Sequence, residues 1–397
     1  MKILIDKLFL LILIVIFSSI LYNCTSSLKS SKDDKLQTRK EFKSGNFNKI
    51  GIEALLSRAE YSLNTNYKSV VDKKVIPPSG DMHDYLSRAV YFWPDSSKVD
   101  GLPWIYKDGK YNFKSFEETD HKYYYQVMGA IRDLSLLYFY TNDPKYALKT
   151  SELIKFWFIN DSTQMNPNFN FAQGIPGRTT GTPSGIIDSR AILWVIEAIS
   201  FIRKSEIFTQ QDEHLFKDWC NQYLIWLIDS DLGKKESEAP NNHGTFYDIQ
   251  VAKFADYLHN EEIVRETLER VKKKRIETQI LPDGSMPLEL DRAEGFTYSV
   301  FQLSAYFELA KLGEKYSVNL WDYKGEKSGS IKDAYYFILN NAILSNNWKY
   351  KGKIDYNYFL GIMNTASEKF DPNLEKTILR IEKSKPTPKL TDLYFIY

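Results

Sequence analysis

The spacing of apolar residues is the feature that most constrains the fold of this chain. Apolar residues recur every three or four positions, for example from Val127 to Leu137 and from Ile192 to Ile199. This spacing predicts amphipathic α-helices, each of which must bury its apolar face against a neighbour. Runs that alternate with a period of two are scarce, and neither a βαβ rhythm nor a glycine-rich phosphate loop occurs.

The pattern predicts a succession of helices. Pro144 suits the first turn of one of them, and Thr209 with Asp212 forms an approximate capping box before another. The predicted helices cover residues 48–64, 119–125, 127–138, 144–158, 186–202, 215–228, 247–258, 261–276, 297–312, 331–345 and 354–365. Antiparallel pairs of such helices, joined by loops rich in Gly, Pro and Asn, predict an all-α fold. We expect an α/α toroid, an incomplete barrel whose groove lies on the long loops at one end.

The first residues are typical of a targeting segment. The apolar run from Leu8 to Phe17 is shorter than the ~20 residues that span a bilayer as a helix. It matches a secretory signal peptide over residues 1–23, and Leu21 three positions before Cys24 resembles a bacterial lipobox. We therefore expect lipidation of Cys24, a polar tether over 24–47, and a periplasmic or cell-surface lipoprotein anchored to the membrane. A plain secretory signal or an uncleaved anchor is the alternative.

At about 150 residues per domain the length of 397 residues suggests two or three domains, but residues 48–397 contain no evident linker, so we assign them to one toroid domain. Lysine plus arginine (52) nearly balance aspartate plus glutamate (51), which argues against nucleic acid as a partner. Aromatic residues make up 15% of the chain, and 27 tyrosines suit a groove that stacks on sugars. Cys220 lies in a helical pattern and is expected to be a buried packing residue.

No metal or other cofactor is expected. The five histidines include no pair at i,i+4, and the acidic residues lack ligand spacing. A G-x-S-x-G nucleophile motif is also missing. The four cations from Lys272 to Arg275 read as a solvated helix end.

Four polar stretches between the predicted helices combine glycine and proline with charged or amide side chains, the usual chemistry of functional loops. They are SGDMHDY at 79–85 leading to WPD at 93–95, MNPN through AQGIPGR at 165–178, NNHGTFYD at 241–248, and PDGSMPLEL at 282–290 followed by Arg292 and Tyr298.

In these motifs, and in GIID at 185–188, the chain resembles the alginate lyase domain of bacterial polysaccharide lyases, the group around families five and thirty-eight. The resemblance runs from about residue 79 to Trp321. It implies an α/α toroid that cleaves an anionic polysaccharide, an alginate-like or glucuronan-like uronic-acid polymer, by β-elimination. Phe246, Met286 and the Thr182-Pro183 pair depart from the usual motif residues, and these departures bear on substrate choice more than on chemistry.

The chemistry of a uronate explains which residue types such a site requires. Removing the C5 proton builds an enolate next to a carboxylate, so the site must neutralise that carboxylate. Asn242, His243 and Arg292 are suited to this task. Tyr298 can transfer a proton, although an unperturbed pKa of ~10 means that it needs help from a cation such as Arg292. The resemblance implies that Tyr298 is the acid and, for one epimer, also the base, with His243 the base for the other.

Further loop residues are candidates for sugar binding, namely His83, Trp93, Gln173, Arg178 and Tyr247, and one of the tyrosines following His121 could reach the groove. Each has a structural alternative, such as a buried histidine or a packing tryptophan. Likewise, the Asn-Asn-His run could be only an N-cap, Arg292 a surface ion pair and Tyr298 a core residue.

Two other functions stay open on the sequence alone. A glycoside hydrolase on the same toroid would need two carboxylates flanking the bond, for which Asp188, Asp248 and Glu289 are the candidates. A non-catalytic glycan-binding surface lipoprotein would need no such pair.

Overall fold

The structure, a computed structural model, describes residues 49–370 together with 374 and 377. Its helices are α1 Lys49–Asn64, α2 His121–Thr141, α3 Pro144–Phe158, α4 Ile192–Ile202, α5 Gln210–Asp229, α6 Asp231–Ser237, α7 Asn242–Tyr257, α8 Glu261–Val271, α9 Glu277–Gln279, α10 Pro287–Leu290, α11 Gly295–Lys315, α12 Ile331–Ile338 and α13 Tyr356–Lys369. The predicted signal peptide, Cys24 and the tether lie outside the described residues. Among those residues, no helix combines the length and the apolar character needed to cross a membrane.

Four helices form the inner layer of the fold. Helix α2 packs on α4, α4 on α7, and α7 on α11, while α3, α8 and the pair α12 and α13 pack outside them. Burial separates the layers, because α7 is buried along most of its length whereas α8 buries only a stripe at Val264, Thr267, Leu268 and Val271. Such a stripe, spaced i, i+3, i+4, i+7, is what a one-sided helix shows. The predicted α/α toroid is confirmed.

Local capping explains where several helices begin. The hydroxyl of Thr209 accepts from the amide of Asp212, whose carboxylate accepts in return from the amide of Thr209, so the predicted capping box of α5 is present. Pro144 occupies the first turn of α3 behind the N-cap Asp143. Asn241 caps α7 by accepting from the amide of His243 at 3.2 Å. The Asn-Asn-His run therefore does cap a helix, and its last two residues form that helix's first turn.

The segment predicted as one helix over 186–202 is divided in two. Residues Pro183–Ala191 form a tight 3-10 segment, and α4 begins only at Ile192. The 3-10 segment packs on the short strand β4 (Phe171–Gly174), where an added Cβ at Gly185 would lie 2.4 Å from the carbonyl oxygen of Ala172. Conversely, the two short helices predicted over 119–125 and 127–138 are parts of α2.

Short strands hold the loops at one end of the toroid. Strand β1 (Leu86–Arg88) pairs in parallel with β4 (Phe171–Gly174), and β2 (Phe92–Trp93) pairs antiparallel with β3 (Ile105–Tyr106). These strands are too short to show alternation in the sequence. The β2–β3 hairpin matters for the site, because the residues flanking it, Tyr91 and Asp108, both contact residues near the start of α11.

Candidate active site

A cavity of about 980 Å³ opens where the inner helices begin. His121 and Tyr125 of α2, Asn242 and His243 of α7, and Thr297 and Tyr298 of α11 line it, together with the 3-10 segment that precedes α4. The inner helices thus direct their N-terminal ends toward this space. Because a helix N-terminus carries unpaired N–H groups and a partial positive charge, this end of the toroid favours an anionic ligand. The predicted residues Asn242, His243, Arg292, Tyr298 and Gln173 all lie in this one cavity.

His243 is held by a buried carboxylate. Its Nδ1 lies 2.7 Å from Oε1 of Glu236 in α6, and the Glu236 side chain is only 4% exposed. Because an ionised carboxylate can only accept, Nδ1 is the protonated nitrogen in this pair. In the neutral imidazole the other ring nitrogen, Nε2, then carries the lone pair that a general base requires.

Asn242 is fixed by Glu289. Its backbone N–H and its Nδ2 donate to the two oxygens of the Glu289 carboxylate at 2.7 and 2.8 Å. Burial raises the pKa of Glu289, and the donors on Asn242 partly offset that rise. One hydrogen on Nδ2 is used in this way, so a second one remains for a ligand.

Tyr298 lies between an arginine and a second tyrosine. Its hydroxyl is 3.0 Å from Nη2 of Arg292 and 2.5 Å from the hydroxyl of Tyr91. Burial raises the pKa of Tyr298, and the contacts with Tyr91 and Arg292 lower it without cancelling that rise. The expected help from Arg292 is therefore present but does not ionise the phenol, so the resting group is a proton donor.

Arg292 is itself paired. Nη2 donates to Oδ1 of Asp108 at 2.9 Å, and Nε lies 3.5 Å from the second oxygen. Burial of Asp108 would raise its pKa, but the bonds from Arg292 and from a backbone amide lower that pKa to about 2. Arg292 is neither a surface residue nor an uncompensated charge.

Strand β4 and the 3-10 segment contribute further lining residues. Gln173 donates from Nε2 to Oδ1 of Asp188 at 2.9 Å, and the second oxygen of Asp188 accepts from Tyr85 and Ser87. Arg190 follows two residues later and also lines the cavity.

Four predicted sugar-binding residues are not among those that line the cavity. His83 joins two loops through Nδ1, 2.6 Å from the carbonyl of Gln164. Trp93 donates to the carbonyl of Lys110 within the hairpin region, and Arg178 donates to the carbonyl of Trp104 beside a separate depression. Each of these side chains thus makes a structural contact, and its role in sugar binding stays a prediction.

Tyr247, also predicted to bind sugar, does not line the cavity either. The helix predicted over 247–258 begins earlier, at Asn242, so most of the NNHGTFYD stretch is helical, and only Asn242 and His243 of that stretch line the cavity. Tyr247 lies one turn further along, is 6% exposed, and donates its hydroxyl to the carbonyl of Leu227 in α5.

A buried charged cluster joins α7 to the segment that contains Arg270 and Arg275. Asp248 is bound by Arg270 and by Arg275, with Nε of Arg275 2.7 Å from Oδ2 of Asp248. The prediction of a solvated cationic face over 272–275 is therefore wrong for Arg275, which is 2% exposed. The cluster also requires glycine at position 244, because a Cβ added there would lie 2.5 Å from Nη1 of Arg275.

Sequence reasoning missed Tyr91, Arg190 and Glu236. Tyr91 is one of 27 tyrosines and Glu236 lies in an ordinary charged helix, so neither carried a signal. Arg190 follows the GIID motif by two residues, and that proximity could have marked it. Among the described residues, no group of three or more His, Cys, Asp or Glu side chains could hold a metal ion.

The toroid and the Asn, His, Arg and Tyr side chains in its cavity define the class of this protein, which is a polysaccharide lyase. Within that class the chain belongs to the alginate lyase family, whose sequence model matches residues 69–348. This range contains the predicted one of about 79–321.

Two solved structures extend the comparison. The crystal structure of an alginate lyase from Bacteroides ovatus has a TM-score of 0.85 and 28% identity, covering 92% of this chain and 97% of that one. The apo form of a histidine-to-alanine variant of alginate lyase A1-III has a TM-score of 0.50 and 15% identity, covering 84% and 86%. The second likeness is one of fold. No protein of curated function matches the chain.

Proposed function

We propose that this lyase cleaves a uronic-acid polymer, alginate or a glucuronan-like chain, by β-elimination and leaves a 4,5-unsaturated uronate at the new end. The observation that carries the proposal is the position of the Tyr298 hydroxyl, between Arg292 and Tyr91 at a cavity shared with His243 and Asn242. A proton donor, a lone pair on an imidazole and an amide donor are the groups that elimination requires.

The first step is stabilisation of the C5 carbanion. The substrate carboxylate accepts from the remaining Nδ2 hydrogen of Asn242 and lies near the Arg292 guanidinium, so charge that develops on its oxygens is stabilised. Glu289 and Asp108 hold these two donors in place before the substrate arrives.

Proton transfer completes the reaction. A base takes the C5 proton, the electron pair forms the C4–C5 double bond, and the bond from C4 to the bridging oxygen breaks as that oxygen receives a proton from Tyr298. The two C5 epimers present the proton on opposite faces of the ring. Nε2 of His243 serves as the base for one epimer. For the other epimer Tyr298 acts from its deprotonated form beside Arg292, takes the C5 proton and donates that same proton to the bridging oxygen. No water is consumed.

The carboxylates named for a hydrolase are placed unfavourably for that reaction. Asp248 is fully buried between two arginines, and Glu289 is 2% exposed and bound to Asn242. Neither lines the cavity, and Asp188 alone of the three does so.

The test is a panel of alginates, glucuronans and related polymers followed by ultraviolet absorbance of the conjugated double bond and by reducing-end assay. We expect both signals to rise together for wild type and for Tyr61→Phe, whose ring is 65% exposed on α1. Tyr298→Phe should lose at least about 10²-fold in kcat, because the transferable proton is gone while the ring remains. Reducing ends without absorbance would favour a hydrolase, binding without cleavage would favour a glycan-binding protein, and full activity of Tyr298→Phe would refute the mechanism.

We also propose that the chain is a lipoprotein at the periplasmic or outer cell surface. The apolar run from Leu8 to Phe17 and the Leu21 to Cys24 spacing support this. Labelling cells with a clickable fatty-acid analogue should mark the wild type and Ser26→Ala but not Cys24→Ala. Equal labelling of the Cys24→Ala protein would refute lipidation at that residue.

A further inference from the structure

The two arginines of the cavity differ in their acidic partners. Two arginines line the cavity in the described part of the chain, and Arg292 is neutralised by Asp108 at 2.9 Å. For Arg190, none of the described residues provides a carboxylate within ion-pair distance. Asp188 is the nearest acidic group in sequence, but its oxygens accept from Gln173, Tyr85 and Ser87.

The hydrogen bonds of Arg190 use only one side of its guanidinium. Nη1 donates to the hydroxyl of Tyr125 at 2.9 Å and to the carbonyl of Ile187 at 2.8 Å. Nε and Nη2 have no partner among the described residues, and neither is a closed-off buried atom. These two nitrogens form the edge of the guanidinium that binds a carboxylate with two parallel hydrogen bonds.

The guanidinium is also held in place without a ligand. Its central carbon lies 5.6 Å from the ring centre of Tyr125 and 5.6 Å from that of Phe301, on opposite helices of the inner layer. Phe301 lies three residues after Tyr298 on α11, a rise of about 4.5 Å. The ring that contacts Arg190 therefore lies about one helical turn along α11 from the proposed proton donor, and the two ring contacts hold the guanidinium in place, so little ordering is needed when a ligand binds.

We propose that Arg190 binds a carboxylate of the substrate through Nε and Nη2 and so selects uronate chains over neutral ones. This proposal rests on the proposed function, since it names the ligand group recognised at the same cavity. The neutral pair of Arg292 and Asp108 cannot supply this selection as strongly, because a guanidinium already bound to a carboxylate attracts a second one less.

The test compares two ligands in the Tyr298→Phe background, which slows cleavage during titration. One ligand is a uronate oligosaccharide, and the other is the same oligosaccharide with its carboxyl groups reduced to alcohols. We expect the parent to bind the charged ligand about 10–100-fold more tightly, as charge-assisted hydrogen bonds to carboxylates allow. Arg190→Gln should remove most of that preference and leave the affinity for the reduced ligand unchanged. Arg203→Gln, on a side chain 57% exposed beyond the other end of α4, should behave like the parent.

A second variant covers the case in which Arg190→Gln does not fold. Arg190→Lys keeps the charge and loses the two-point geometry, so it should bind the charged ligand several-fold more weakly than the parent. Parent-like preference for the charged ligand in either variant would overturn the proposal.

The same reagents separate the two proposals. Wild-type elimination of the uronate oligosaccharide with undiminished charge preference in Arg190→Gln would refute only the role of Arg190. Charge preference that depends on Arg190, without elimination of any uronate polymer by the wild type, would refute only the proposed function.

Discussion

Replacing Glu236 with glutamine tests whether His243 acts as a base. The Glu236 carboxylate accepts from Nδ1 of His243 at 2.7 Å and so leaves the lone pair on Nε2. Glutamine has nearly the same shape but no charge, and its amide can also donate, which allows the opposite tautomer of the ring. The variant therefore perturbs the chemistry of His243 with little change in packing.

The magnitude follows from burial. Glu236 is 4% exposed and His243 22% exposed, so solvent screens their interaction only partly. A hydrogen bond to a charged partner contributes about 1.5–3 kcal/mol, and this contribution grows in importance when the imidazole takes up a proton in the transition state. We expect kcat to fall about 10–150-fold with little change in KM, because the interaction is strengthened in the transition state rather than on binding.

The assay is the initial rate of double-bond absorbance on polymers of each C5 epimer. The loss should occur with the epimer for which His243 is the base and be much smaller with the other. Glu238→Gln is the matched control, since that side chain lies two residues away, is 62% exposed and pairs with Lys274 at the surface. Equal kcat values for the two variants on every polymer, with both proteins folded, would refute the assignment of His243 as a base positioned by Glu236.

Two further predictions concern stability. Gly244→Ala should lower the free energy of unfolding, measured by urea titration, by about 1–3 kcal/mol, because the added methyl group meets a buried arginine and a carbonyl oxygen. The control Gly129→Ala, in the open middle of α2, should be neutral or stabilising. Equal effects of the two substitutions would contradict the close packing at Gly244. Asp108→Asn should cost about 1 kcal/mol at pH 7 after allowance for solvent screening. Because the pKa of Asp108 is lowered to about 2 by its bonds to Arg292 and a backbone amide, which outweigh burial, its stabilisation is present above pH ~4 and lost toward pH 2. The difference between wild type and Asp108→Asn should therefore shrink over that range, and a constant difference would contradict the pairing with Arg292.

The sequence was most informative where local physics decides the structure. Helical spacing and capping residues predicted most helices, because amphipathic periodicity and an N-cap such as Thr209 act within a few residues. The 3-10 segment over 183–191 was missed because its geometry depends on close packing against β4, on residues distant in the chain.

In the site, too, features carried by local motifs were predictable, whereas features that depend on contacts between distant residues were not. Asn242, His243, Arg292 and Tyr298 were predicted from motifs and now lie in one cavity, although their roles stay predictions. Glu236 gains its importance only from a contact made in the folded chain. Tyr247 was named for sugar binding because it lies in a motif, and that motif does not reveal that α7 starts at Asn242, ahead of the helix predicted over 247–258.

The contacts of the β2–β3 hairpin have a consequence for protein engineering. One flank of the hairpin provides Tyr91 for Tyr298, and the other provides Asp108 for Arg292. A graft that exchanges this hairpin alone between relatives, to change which polymer enters the groove, would also exchange the hydrogen-bond partners of the proton donor and its arginine. Chimeras in this family should therefore transfer the hairpin and the segment from Arg292 to Tyr298 as one module.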